Sequence, residues 1–182
     1  EAKAVNAGEH TAVAKLTNTA NYQWDDGTTE DKTIVWSIGE KTPAVSDFAV
    51  TYPRSEDLVY NGNAKKVTAK LSDSYPVQDI TLTVVCTNAD GIAVEEPTNA
   101  GTYTVKLCVS GSNFAAAELA LADLTIVPMG QELSFAEARV ELTYDPASTS
   151  YTQTVSGAKG PVVYRGSDDT VAAVDAATGE VT

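Results

Sequence analysis

Basic charge is scarce in this chain. Lys and Arg number 12 against 25 Asp and Glu, a formal net charge of −13 at pH 7. A surface of that sign repels phosphate backbones and anionic headgroups, so no nucleic-acid partner is expected. Long apolar runs are also missing. No stretch approaches the roughly 20 residues of a membrane span, and the chain is not expected to be membrane-inserted. No basic segment followed by an apolar one opens it, so no signal peptide is read there. Helical periodicity of useful length is absent. Ser134 to Leu142 and Phe114 to Ala122 are rich in Ala and Glu but carry neither a cap nor an i, i+4 stripe. Both are expected to be β or irregular, with room for a short helical turn at Phe114–Glu118.

Cysteine is limited to Cys86 and Cys108. In Ile80-Thr-Leu-Thr-Val-Val-Cys86 the apolar face runs Ile80, Leu82, Val84, Cys86. In Tyr103-Thr-Val-Lys-Leu-Cys-Val109 it runs Tyr103, Val105, Leu107, Val109, leaving Cys108 with Thr104 and Lys106. Side chains alternate across a strand, so one thiol points inward and the other outward, and two free thiols are expected over a bridge.

What is present favours strands. Hydrophobic residues make up 43% of the chain, enough for a packed core, and Val, Ile, Thr and Tyr suit half-buried pleated surfaces. Short alternating segments such as Lys66–Leu71 and Thr33–Ile38 are separated by turn signals at Asp26-Gly27, Asn61-Gly62, Asp90-Gly91, Ala100-Gly101 and Thr178-Gly179. This punctuation predicts an all-β chain built as a sandwich.

The chain also repeats itself. Asn6-Ala-Gly-Glu-His-Thr11 resembles Asn99-Ala-Gly-Thr-Tyr-Thr104, 93 positions on, while Asn21-Tyr22 matches Asn113-Phe114 and Ile34 matches Ile126, each 92 positions on. A unit near 92 residues divides the chain into a back half at 1–39, a complete unit at 40–128 and a front half at 129–182. Residues 129–182 number 54 and residues 1–38 number 38, together one repeat. Half a sandwich leaves a sheet edge and an apolar face uncovered, so two readings stand: 1–38 and 129–182 self-associate, between molecules if one chain does not reach back to itself, or the sequence is a piece of a longer array.

Leu58-Val-Tyr60-Asn-Gly62-Asn-Ala-Lys65-Lys66-Val67-Thr68, followed by Pro97-Thr-Asn-Ala-Gly101-Thr-Tyr103-Thr-Val105, resembles the MBG-type bacterial immunoglobulin-like repeats. Ala4–Thr11 with Asn21–Trp36 looks like the end of another such repeat. Val163–Thr182, containing Asp175-Ala-Ala-Thr178-Gly179, is similar to the group 2 bacterial immunoglobulin-like family. The resemblance implies tandem immunoglobulin-like β-sandwich modules in an extracellular or cell-surface bacterial protein, often an adhesin or a carbohydrate-acting protein. It also implies spacer or adhesive roles with no catalytic residues and no cofactor. The expected function is therefore a non-catalytic surface segment that spaces modules or binds a host or bacterial surface protein. The alternative is a carbohydrate-binding accessory module of a secreted glycan-acting protein.

Few residues carry candidate chemistry. His10, the only histidine, lies on a strand with no carboxylate placed to orient it for a nucleophilic relay, and a structural role is expected. Asp25-Asp26 and Asp168-Asp169 read as solvated turns, and weak Ca²⁺ binding is left open although no run with the ligand spacing of a Ca²⁺ loop occurs. Carboxylate pairs for glycoside hydrolysis would need a cleft that a narrow sandwich does not supply. Trp36, in the run Ile34, Trp36, Ile38, is expected to face a core. Tyr22 and Trp24 share parity. They either pack in a core or form an exposed platform for a sugar ring, which makes them the candidate ligand-binding residues. Lys65 and Lys66, near Asn residues, raise an intramolecular Lys–Asn isopeptide bond, without a sharp signature for it.

Overall fold

The computed structural model describes residues 4–75, 79–141, 143 and 150–182. It is all-β, with several antiparallel sheets in an arrangement compatible with a β-sandwich. The chain divides into two compact units, Glu1–Pro128 and Met129–Thr182.

In the first unit, β1 (Gly8–Ala14) and β2 (Lys32–Ile38) form a two-stranded antiparallel sheet over seven residue pairs. Next come β3 (Phe48–Thr51) and β4 (Thr68–Leu71), also paired. The main sheet contains β5 (Ile80–Thr87), β6 (Ala93–Val94), β7 (Gly101–Gly111) and β8 (Phe114–Ala120) in the order β6-β5-β7-β8. A short β9 (Leu124–Ile126) is added to the start of β7. Two 3-10 turns, Val45–Asp47 and Ser55–Leu58, flank β3. Phe114–Glu118, where a helical turn was allowed, is instead the start of β8. Pairing along β7 from Lys106↔Ala120 to Val109↔Ala117 satisfies its backbone groups, and this outweighs the helix propensity of three alanines. No helix forms in the described part of 134–142; Leu142 lies outside the described residues.

β7 organises the core. Tyr103, Val105, Leu107 and Val109 are all buried, and Val105 and Leu107 are fully so. Thr102, Thr104 and Lys106 on the opposite face are exposed. Cys86 and Cys108 are free thiols on opposite faces, with Cys86 paired to Val105 and Cys108 to Thr83. One cluster gathers Val67, Cys86, Tyr103, Val105, Leu124 and Ile126; a second gathers Phe48, Leu107, Val109 and Phe114. Val50 and Val84 pack against both, so residues from β3 and the main sheet share one interior. A buried polar clasp closes its edge. Asp47 accepts hydrogen bonds from Lys41 Nζ at 2.5 Å, Tyr75 Oη at 2.6 Å and the Ala44 amide at 2.8 Å. Charge-assisted donors offset the cost of burying a carboxylate. The Lys41 ammonium above all, with Tyr75 and the amide, holds the Asp47 carboxyl at about 2 instead of its usual 3.8.

In the second unit, β10 (Tyr151–Thr152) pairs with β11 (Glu180–Val181). Asp175–Gly179, which contains the Thr178-Gly179 turn signal, forms a hairpin turn. Asp175 Oδ1 accepts from the Ala177 and Thr178 amides, and the Asp175 amide donates to the Glu180 carbonyl at 2.8 Å. Gly179 has φ +74, and a Cβ there would meet the Tyr164 ring at 3.1 Å, so backbone conformation and close approach both call for glycine.

Candidate functional site

The Asn-Ala-Gly turn and the first three ladder rungs of the Asn6–Ile38 segment recur in the Asn99–Ile126 segment. Gly8 and Gly101 have φ 132 and 153, values that a side chain disfavours. In each copy the residue two positions on bonds back to the Asn-Ala-Gly turn: His10 Nε2 lies 2.9 Å from the Asn6 carbonyl, and Tyr103 Oη donates to the Asn99 carbonyl at 2.9 Å. The ladders match as well. Gly8↔Ile38, Glu9↔Ser37 and His10↔Trp36 reproduce Gly101↔Ile126, Thr102↔Thr125 and Tyr103↔Leu124. This register replaces the Ile34–Ile126 match read from sequence with Ile38–Ile126, because the connection between the paired strands is five residues longer in the first copy.

The two copies differ in what covers them. Tyr103, Val105 and Leu107 are buried on β7, whereas the equivalent His10 is half-buried and Ala12 and Ala14 are exposed. Leu124 is 1% exposed; its counterpart Trp36 is 43% exposed and Ile34 is 65% exposed. Trp36 therefore does not lie in a core as expected. It rests against His10, with ring centroids 4.8 Å apart. The alternation that marks an inward face is present, but β1 and β2 make a two-stranded sheet with that face open. Among the described residues His10 has one hydrogen-bond partner, a backbone carbonyl, and one ring partner.

Tyr22 and Trp24 lie in the loop between β1 and β2. The Trp24 amide donates to the Thr28 carbonyl at 2.8 Å and its indole N–H donates to the Glu30 carbonyl at 2.7 Å, which leaves the ring half-buried. Tyr22 is 66% exposed. No ring contact joins Tyr22 to Trp24. Phe114, which aligns with Tyr22, is 2% exposed in the core.

One member of each acidic pair is engaged locally. Asp26 accepts from the Thr28 amide and hydroxyl and pairs with Lys32, and these contacts hold its carboxyl well below the usual range. Asp168 accepts from the Thr170 amide and hydroxyl. Among the described residues no group of three or more His, Cys, Asp or Glu is placed to hold a metal ion. Lys65 is 5% exposed, and its Nζ donates to Asn61 Oδ1 at 2.8 Å. Lys66 instead pairs with Glu96 at 2.5 Å. Among the described residues no carboxylate contact accompanies Lys65 and Asn61.

One apolar depression has lining residues that sequence reasoning did not single out. Within residues 129–182, Leu133, Phe135, Tyr151, Val163, Tyr164 and Val181 line an open groove of about 540 Å³. Phe135 is 54% exposed and Val163 is 69% exposed. An uncovered apolar face in this half-unit is expected from the sequence, but the residues that line it are not. No family model, curated protein or solved structure matches the chain.

Proposed function

We propose that this chain is a non-catalytic segment of an extracellular bacterial surface protein, built from tandem immunoglobulin-like modules that space other domains or bind a host or bacterial surface protein. The observation that carries the reading is the structural repeat. Two Asn-Ala-Gly turns, two back-bonds to the Asn carbonyl and two equivalent ladders recur 93 positions apart at their glycines. Serial repetition of a structural unit suits a projecting or adhesive array. The ionisable groups support this too, since the strongest carboxylate perturbations trace to the Asp47 clasp and the Asp26 turn, both engaged in local structure. Peptides released by brief protease treatment of intact source cells test the location: the proposal expects this chain among them, and its retention inside lysis-controlled cells contradicts it.

A carbohydrate-binding role is the second reading, favoured by the exposed Tyr22 ring. Aromatic faces stack on sugar C–H groups, and one ring supports only weak binding without a polar rim. A glycan array run beside a panel of extracellular proteins separates the two. Signal on glycans that Tyr22→Ala removes supports the sugar reading; saturable binding to a protein ligand that Tyr22→Ala leaves intact supports the first.

A further inference from the structure

We propose that Asn61 is a self-modification site, where the amide of the following glycine and the buried Lys65 convert the asparagine to aspartate. Asn61-Gly62 is the only Asn-Gly pair in the chain. It lies in a short loop anchored on both sides: the Tyr60 amide donates to the Val127 carbonyl at 2.8 Å, and the Lys65 amide donates to the Pro97 carbonyl at 2.7 Å. Lys65 is 5% exposed, and among the described residues the one acceptor for its Nζ is Asn61 Oδ1, at 2.8 Å. The same oxygen accepts from the Asn63 amide at 3.1 Å. That back-bond turns the side chain along its own main chain towards the Gly62 peptide. Two donors on one amide oxygen, one of them cationic, are the arrangement that stabilises an oxyanion. Gly62, at φ +79, has nothing within 4 Å of the position a Cβ would take, so no side chain shields its nitrogen. Asn61 is exposed, and water reaches it.

The Gly62 nitrogen gives its proton to solvent hydroxide and bonds to Asn61 Cγ, while negative charge gathers on Oδ1 between Lys65 Nζ and the Asn63 amide. The Cγ–Nδ2 bond breaks, the nitrogen leaves as ammonia with a proton from water, and a succinimide ring remains. Water then opens the ring. Attack at Cγ breaks the new Cγ–N bond, returns a proton to the Gly62 nitrogen and leaves aspartate; attack at the main-chain carbonyl leaves isoaspartate. Both donors sit on the Cγ oxygen, so the aspartate route is favoured. The net change is water taken up and ammonia released, with nothing oxidised or reduced. The product carboxylate gives the buried lysine an ionic partner in place of a neutral amide, a stronger contact.

The test is peptide mapping by mass spectrometry of the full chain aged at neutral pH. The Asn61 peptide should gain the mass difference between an amide and a carboxyl ahead of the peptides that carry the other asparagines. It should co-elute with a synthetic aspartyl standard and not with the isoaspartyl one. Lys65→Met keeps an apolar stem and removes the donor; it should slow conversion on the order of tenfold and bring isoaspartate into the product. The urea-unfolded chain is a second reference that needs no substitution, and conversion there should be slower and mixed in product. Asn61→Asp should raise the urea midpoint of the body by about 0.5–1 M, a gain that Lys65→Met cancels. An unconverted Asn61, a rate or product that unfolding and Lys65→Met leave unchanged, an ammonia-lighter cross-link between Asn61 and Lys65, or an Asn61→Asp midpoint no higher than the parent's each overturns the assignment. None of these results bears on the surface-segment reading, which stands on the repeat.

Discussion

Leu124 and Trp36 occupy the same rung of two equivalent ladders, and truncating each to alanine should have very different consequences. Leu124 is 1% exposed and packs among Val105, at 0%, and Ile126, at 1%. Its removal forfeits the transfer free energy of the side chain and leaves a void that fully buried strand neighbours fill poorly. The expected cost lies in the middle of the range for Leu→Ala, about 3 kcal/mol. For a body of this size, with a urea slope of about 1 kcal/mol/M, the unfolding midpoint should fall by about 3 M. Trp36 is 43% exposed and its principal partner is the His10 ring. Trp36→Ala should cost at most about 1 kcal/mol, and only in the hairpin. The probes separate cleanly, since both tryptophans, Trp24 and Trp36, lie in residues 4–38. Far-UV circular dichroism and tyrosine fluorescence follow the body, while Trp24 emission follows the hairpin. A Leu124→Ala midpoint no lower than that of Trp36→Ala would refute the claim that equivalent rungs differ in cover.

The Asp47 clasp predicts a pH dependence. Its carboxyl titrates at about 2 when folded against an ordinary 3.8, so it stabilises the fold above the ordinary value and loses that contribution as pH falls from 3.8 towards 2. Discounted for the half-exposed Lys41 partner, the contribution is on the order of 1–2 kcal/mol; urea midpoints of Asp47→Asn should be lower at neutral pH and flatter across that window, and parallel pH profiles would contradict this. A thiol reagent should modify half-buried Cys108 in the native protein and reach Cys86, whose burial raises its thiol pKa, only on unfolding. Consumption of neither thiol after denaturation would contradict the free-cysteine assignment. Gly101→Ala, at φ 153, should destabilise the body by about 1–2 kcal/mol in a urea titration, and an unchanged midpoint would remove the claim that this turn needs glycine.

Much of the fold is legible because it is local. Alternation alone assigns the buried face of β7 and the opposite facing of Cys86 and Cys108. All five Gly turn signals fall at positive φ. Features that depend on distant partners are not legible. Trp36 has the pattern of a core residue, yet burial requires an opposing layer, and the strand pattern carries no information on that layer. The Asp47 clasp joins Lys41, Ala44 and Tyr75 across 28 positions from Asp47 to Tyr75, with no local motif. The 3-10 turns are too short for periodicity. The repeat was visible in Asn-Ala-Gly, but its offset slipped by four residues at β2 because an unequal connection gives the Ile34 match and the Ile38 match equal local merit. For the site, Tyr22 and Trp24 drew attention as aromatics in a polar loop. The open His10–Trp36 face reads as core by strand alternation.

The central claim is that one chain carries two copies of a paired-strand ladder that opens on an Asn-Ala-Gly turn, β7–β9 covered and β1–β2 open. Residue-resolved amide hydrogen exchange in dilute solution tests it directly. The account predicts the slowest exchange at Val105, Leu107 and their β5 partners, and exchange faster by orders of magnitude at Ala12, Ile34 and Trp36 on the equivalent hairpin. Equal protection of the two strand pairs in dilute protein would contradict it.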